Sequence, residues 1–228
     1  MRTLPAEHLA VGLDHRFRLL TGGARGALAR QRTLLASVDW SYDLLDARER
    51  AVLGRLAAFV GGFTLDAAEW VAAGDGVDAV DVFDLLSRLV DKSLVNLDEA
   101  GGRSRLLETI RHYAVERAGA AELAAARDRH LAWCLDLVCR EDLDHRTPTV
   151  AMAAGFEADY ANLVAALDWS LGGEPAVELL AGLSLVWVWR SRAADGLLWA
   201  DRVLEHLEPG SGPWVRAIEG IFKEEKMH

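Results

Sequence analysis

Apolar residues recur at helical spacing along most of the chain, and the rhythm changes once. Over Ala6 to Leu19 they fall at Leu9, Ala10, Leu13, Phe17 and Leu20, and Thr21-Gly-Gly23 stops the helix. Thr33 caps a helix to Leu45, with Leu34, Leu35, Val38, Tyr42 and Leu45 on one side. Asp46, followed three residues on by Glu49, has capping-box spacing. It opens a helix through Val52, Leu53, Leu56 and Phe59 that Gly61-Gly62 ends. Thr64 starts a short helix to Ala73, Gly74-Asp-Gly76 breaks it, and Asp78 to Val90 forms the next. There the period shortens. Ser93 to Leu97 reads as a strand, Glu99 to Gly102 as a turn with two glycines, and Arg103 to Leu107 as the returning strand.

After the hairpin the helical period returns. Helices are expected over Glu108 to Ala118, over Ala121 to Arg140, and over Thr149 to Leu171 with a break near Gly155. Gly172-Gly173 and Pro175 mark a turn into the segment 176–192, followed by 193–207 and by a third helix from Pro213. A lone hairpin is marginal in water and must lie against helices, and helices followed by one hairpin is the pattern of a winged helix. The fold class is therefore all-α with one small β-hairpin. The expected organisation is a basic N-terminal segment over 1–32, a winged-helix domain over 33–118 and a connecting helix over 119–145. A linker around Asp144 to Pro148 then leads into paired helices over 146–228. Small residues such as Gly182, Ala194 and Ala200, where helices would approach, make those pairs look like tetratricopeptide-type repeats.

Charge sharpens this picture. The net charge is −10, but residues 1–32 carry six Arg against Glu7 and Asp14. Residues 33–118 carry nine basic and fifteen acidic groups, and 119–228 carry ten and eighteen. Nucleic-acid affinity rests on neutralising phosphates, so only the N-terminal segment, with Arg25, Arg30 and Arg32, has the right sign. In a DNA-binding winged helix the helix before the wing is the reading element. Here it holds Asp78, Asp81, Asp84 and Asp91 against Arg88 and Lys92, with the first three Asp expected on one face. The bare sequence therefore favours a packing or switch module over a DNA reader.

Residues that carry chemistry are sparse. None of the three lysines, Lys92, Lys223 and Lys226, follows a glycine-rich loop of P-loop form, so no nucleotide cofactor is assigned. His130 and Cys134 share a helix face at i, i+4, but two ligands do not make a zinc site. Glu108 and His112 are a helix-face pair. No nucleophile–base arrangement has recognisable context, and the chain is read as a non-enzyme with no metal. Cys134 and Cys139, about 8 Å apart along one helix, are too far apart to bridge and are expected as buried thiols. No apolar run reaches the ~18–20 residues of a membrane span and the start has no signal-peptide character, so the expected location is cytoplasmic. Trp187, Trp189 and Trp199 are candidate groove residues whose plainer reading is core.

Three stretches carry a resemblance: RQRTLLASVDWSYDLLDARERAVLGRLAAFVGGFTLDAAE (30–69), LLSRLVDKSLV (85–95) and RLLETIRHYAVERA (105–118). They resemble the winged-helix region of bacterial STAND-type, NB-ARC-like ATPase regulators, the large LuxR- and SARP-class transcriptional regulators. LAVGLDHRFRLLTGGAR (9–25) is similar to the tail of their ATPase lid, and FEADYANLVAALDWSL (156–171) to the start of their tetratricopeptide-like sensor region. The resemblance implies an ATPase core and a DNA-binding domain, neither of which is in this sequence. It also implies a Met-His-Asp motif whose histidine touches ADP. The matching positions here are Leu106, Leu107 and Glu108, with no imidazole. The expected role is a non-catalytic regulatory or protein-interaction module, partnered by an ATPase core or another protein. The alternative is a DNA-binding regulator acting through the winged helix or the basic segment.

Overall fold

The computed structural model describes residues 36–98, 102–140, 150–189 and 192–217. The helix expected over Ala6 to Leu19, the Thr33 cap, Arg25, Arg30, Arg32, most of the hairpin turn and the 144–148 linker lie outside the described residues. A first helix, α1, covers 36–43 and belongs to a separate unit that ends at Leu45.

From Asp46 onward the capping pattern read from the sequence is realised atom by atom. Asp46 Oδ1 accepts from the Glu49 backbone N–H at 2.8 Å, and Glu49 Oε2 accepts from the Asp46 N–H at 2.8 Å. The helix this starts, α2, runs Ala47–Leu56. The Glu49 N–H bond, first among the causes, holds the Asp46 carboxyl below its usual range. Thr64 caps α3 (Leu65–Ala72) by accepting from the Ala67 N–H. Gly74 and Gly76, both at positive φ, form the turn into α4 (Ala79–Asp91). Leu85 and Leu89 of α4 join Val52, Leu53, Leu56, Phe63 and Val71 in a core that solvent barely reaches.

Two arginines hold the α3–α4 turn from behind. Buried Arg55 donates to the carbonyls of Ala72 (2.8 Å) and Asp75 (2.9 Å) and, through Nε, to Glu122 at 3.2 Å. Arg129 Nε donates to the Val71 carbonyl at 2.9 Å. Cations at the last carbonyls of α3 satisfy acceptors that the helix cannot, and they favour the negative end of its dipole.

The hairpin is shorter than the sequence pattern suggests. Strand β1 is Asn96–Asp98 and β2 is Arg103–Arg105, paired antiparallel with Leu97 opposite Ser104. Ser93, expected in the strand, sits at φ 59. Its N–H bonds the Val90 carbonyl and that of Leu94 bonds Leu89, so these residues close the end of α4 in a left-handed turn. Phe63 adds a one-residue bridge on the other side of β2, exchanging two 2.8 Å backbone bonds with Ser104. The wing is thereby stitched to the loop after α2.

Helix α5 (Glu108–Arg117) leads into α6 (Ala120–Arg140). Helix α7 (Val150–Trp169) passes unbroken through Gly155, where a break was expected. A lone glycine in a long helix costs only about 1 kcal/mol, which the buried face of α7 offsets. Helices α8 (Glu174–Trp189), α9 (Ala193–Glu205) and α10 (212–217) follow. They share a second core with α6 and α7 around Phe156, Leu163, Leu167, Leu183, Trp187 and Val203.

Candidate functional site

The exposed side of α4 is the surface a reading helix would present. Val82, Leu85, Leu86 and Leu89 turn inward. Val80, Phe83, Asp84, Ser87, Arg88 and Asp91 form the outer stripe at spacings of three and four. Val80 is 83% exposed and Phe83 55%. Asp78, Asp81 and Asp84, expected on one face, recur at i+3 at the start of α4. Of these three, Asp81 is bound by Arg48. The cations around the stripe are engaged. Arg88 lies 3.9 Å from the Asp46 carboxylate, and Lys92 folds back to within 2.5 Å of buried Glu49. On the wing, Leu97 and Arg105 are exposed.

Behind the wing lies a densely bonded polar cluster. Asn162 of α7 has no exposed surface and uses its whole amide. Its Oδ1 accepts from the N–H groups of Val60 (3.1 Å) and Gly61 (3.0 Å), while its Nδ2 donates to the Gly62 carbonyl (2.9 Å) and to Asp159 Oδ1 (3.0 Å). Arg103, the first residue of β2, donates to both carboxylate oxygens of Asp159 (2.5 and 3.1 Å) and to the Gly62 carbonyl (2.6 Å). Such a two-pronged arginine–carboxylate pair is both strong and directional. A Cβ at Gly62 would stand 3.2 Å from the Ser104 carbonyl oxygen, so the two glycines, expected only to end a helix, also admit α7 and the wing to one loop. Beneath them Phe59 stacks edge-on against His130 and Trp133 of α6.

Residues 45–118 match the family of winged helix-turn-helix domains. The domain is a winged helix-turn-helix. Its helix-turn-helix is α3, the glycine turn and α4, and its wing is the β1–β2 hairpin. The chain is homologous to proteins named as HTH-type transcriptional regulators. It is 42% identical over 214 residues to "Putative HTH-type transcriptional regulator Rv0890c" of Mycobacterium tuberculosis and to "Putative HTH-type transcriptional regulator Mb0914c" of Mycobacterium bovis. In each case 90% of this chain covers 24% of the relative. A further M. tuberculosis relative, "Uncharacterized protein Rv0894", is 41% identical over 133 residues, covering 56% of this chain and 34% of that protein. The chain thus spans about a quarter of the length of the HTH-type regulators it matches. No solved structure matches it.

Trp187 and Trp199 belong to α8 and α9, outside the winged helix. Trp187 is core, its indole N–H donating to the Tyr160 hydroxyl at 3.0 Å. Trp199 is half-buried, with the Arg202 guanidinium 4.3 Å from its ring. The two therefore do not form a shared exposed face, and the Trp189 side chain lies outside the described residues. His130 and Cys134 are both buried and 3.9 Å apart, and the thiol also reaches the Asn162 carbonyl at 3.7 Å. Burial pushes the His130 imidazole down to about 4 and the Cys134 thiol up. The expectation of two buried thiols is half corrected: Cys134 is buried and Cys139 exposed. Five residues turn a helix by 500°, which puts Cys139 on another side of α6. At the positions that match the Met-His-Asp motif, Leu107 precedes α5 and Glu108 binds Arg111 at 2.8 Å. Among the described residues no helix is long and apolar enough to cross a membrane.

Proposed function

We propose that the chain is the winged-helix and adjoining helical segment of a DNA-binding transcriptional regulator. The observation that carries this is the winged helix-turn-helix domain over 45–118 in a chain homologous to HTH-type regulators. The stretches 30–69, 85–95 and 105–118 support placing it in a large regulator of STAND type. The helix pairs after α6 would then be the beginning of a tetratricopeptide-like sensor region. DNA contact would fall to the exposed Arg105 of the wing and to Arg25, Arg30 and Arg32 of the basic segment.

The test is fluorescence anisotropy of labelled duplex DNA against the purified chain over a salt series. Binding should weaken steeply, with log K falling by roughly 0.9 per log of salt for each phosphate neutralised. Arg105→Ala and the triple change of Arg25, Arg30 and Arg32 to Ala should each lower the slope. No salt-dependent binding to any duplex would sink DNA contact by this chain.

A second reading is favoured by the face of α4. It offers Val80 and Phe83 beside Asp84 and Asp91, with its one arginine near Asp46. Carboxylates facing phosphates are repulsive, and an exposed apolar stripe has no use for a sugar-phosphate backbone. In this reading the winged helix is a protein-docking module of the regulator, and DNA is held by other parts.

A further inference from the structure

We infer that the outer stripe of α4 is a docking site for a basic amphipathic helix of a protein partner, an inference that rests on the protein-docking reading above. Four observations converge on that occupant. Val80, Phe83 and Ser87 repeat at three and four, the spacing at which one helix presents a ridge to another. The apolar residues are well exposed: Val80 at 83% and Phe83 at 55%. Ser87 adds little polarity, because its hydroxyl donates back to the Phe83 carbonyl at 2.9 Å. The apolar pair is flanked by Asp84 and Asp91, both exposed, with Asp78 at the helix start.

Charge decides which helix fits. The Arg88 guanidinium lies near Asp46, Lys92 is held by Glu49 and Arg48 by Asp81. The stripe thus presents an acidic edge whose nearby cations already face carboxylates of the same domain. A second copy of this surface would bring like charges together, and DNA would bring phosphates. A helix with Leu or Ile at its centre and Lys or Arg on its flanks would cover the apolar pair and neutralise the carboxylates. That arrangement speeds encounter and gives specificity through charge complementarity.

The experiment titrates the full chain with a fluorescein-labelled amphipathic helical peptide of Leu, Ala and Lys, and with the same peptide carrying Glu in place of Lys. The Lys peptide should bind and the Glu peptide should not. Val80→Ala/Phe83→Ala and Asp84→Asn/Asp91→Asn should each weaken the Lys peptide about tenfold or more. All four residues are on the surface, and far-ultraviolet circular dichroism checks that both variants stay folded. Labelled duplex DNA is titrated in parallel. If the Lys peptide does not bind and neither does duplex, the basic-helix occupant is overturned while docking of another partner chemistry stands. If the peptide fails and duplex binds in a manner that Phe83→Ala weakens, the protein-docking reading fails with it. Peptide binding that both variants leave unchanged overturns the assignment to this stripe.

Discussion

Asn162→Ala is the substitution that most directly tests how the winged helix is held to the helices behind it. The Val60 and Gly61 amides both donate to Asn162 Oδ1. Removing the amide strands both. The other two bonds matter less, because the Gly62 carbonyl and the Asp159 carboxylate keep Arg103. A stranded buried donor costs about 1–3 kcal/mol. Val60 is exposed and Gly61 half-buried, so water can relieve part of this, and the expected loss is about 2–4 kcal/mol in all. At roughly 2–4 °C per kcal/mol for a unit of this size, the melting midpoint should fall by about 5–15 °C. Urea titration followed by circular dichroism reads the global change, and amide hydrogen exchange reads the local one. The Val60 and Gly61 N–H groups should lose most of their protection, roughly 30-fold or more for 2 kcal/mol, while amides at the centre of α3 change only with global stability. Asn162→Asp is the sharper companion. It keeps an acceptor for the two N–H groups but sets a second carboxylate beside Asp159 and the Gly62 carbonyl, so it should be at least as damaging at neutral pH. Asn162→Ala within about 0.5 kcal/mol of the parent, with both amides still protected, would refute the reasoning.

Two further perturbations follow from buried groups. His130 titrates near 4 in the folded chain, against an ordinary value of 6.5, because burial disfavours the cation. The unfolded chain therefore binds the proton first. The neutral imidazole's contribution is complete above about pH 6.5 and falls by up to about 3 kcal/mol as pH drops to 4; His130→Phe should lose this dependence, and parallel stability–pH profiles for the two proteins would expose a wrong sign. A Cβ at Gly182 would run into Val138 Cγ1, so Gly182→Ala should cost about 1–3 kcal/mol by overpacking α6 against α8. Val138→Ala should recover much of that loss in a double-mutant cycle, and strict additivity of the two changes would contradict the contact.

The helices of the winged helix were legible because their signals are local. Asp46 with Glu49, Thr64 with its apolar run and the Gly74–Gly76 turn each act within one or two turns of chain, and each appears in the structure where the pattern put it. The hairpin was legible as a hairpin, but its start was not. Ser93 looks like a strand residue until the end of α4 claims it for a left-handed turn. The candidate surface was half legible. The acidity of α4 is plain in the sequence, whereas the exposure of Val80 and Phe83 and the engagement of Arg48 and Lys92 depend on which carboxylates other elements bring near.

The junction had no sequence signal at all. Asn162 and Asp159 sit mid-helix as ordinary polar residues, Arg103 reads as the start of the returning strand, and Gly61-Gly62 reads as a helix stop. Apart from the Asn162–Asp159 bond within α7, their partners lie 41 to 102 positions away. Hydrogen bonds of that separation have no period and no local grammar. The sequence by itself determined the caps, the helical stripes, the single hairpin and the charge imbalance, since each arises from neighbours along the chain. Only the tertiary structure decided that Arg55 and Arg129 would hold the helix-turn-helix from behind, that Asn162 would bond a loop a hundred residues earlier, and which face of α4 would be left outside. Those outcomes depend on burial, where a polar group must find a partner wherever the fold supplies one.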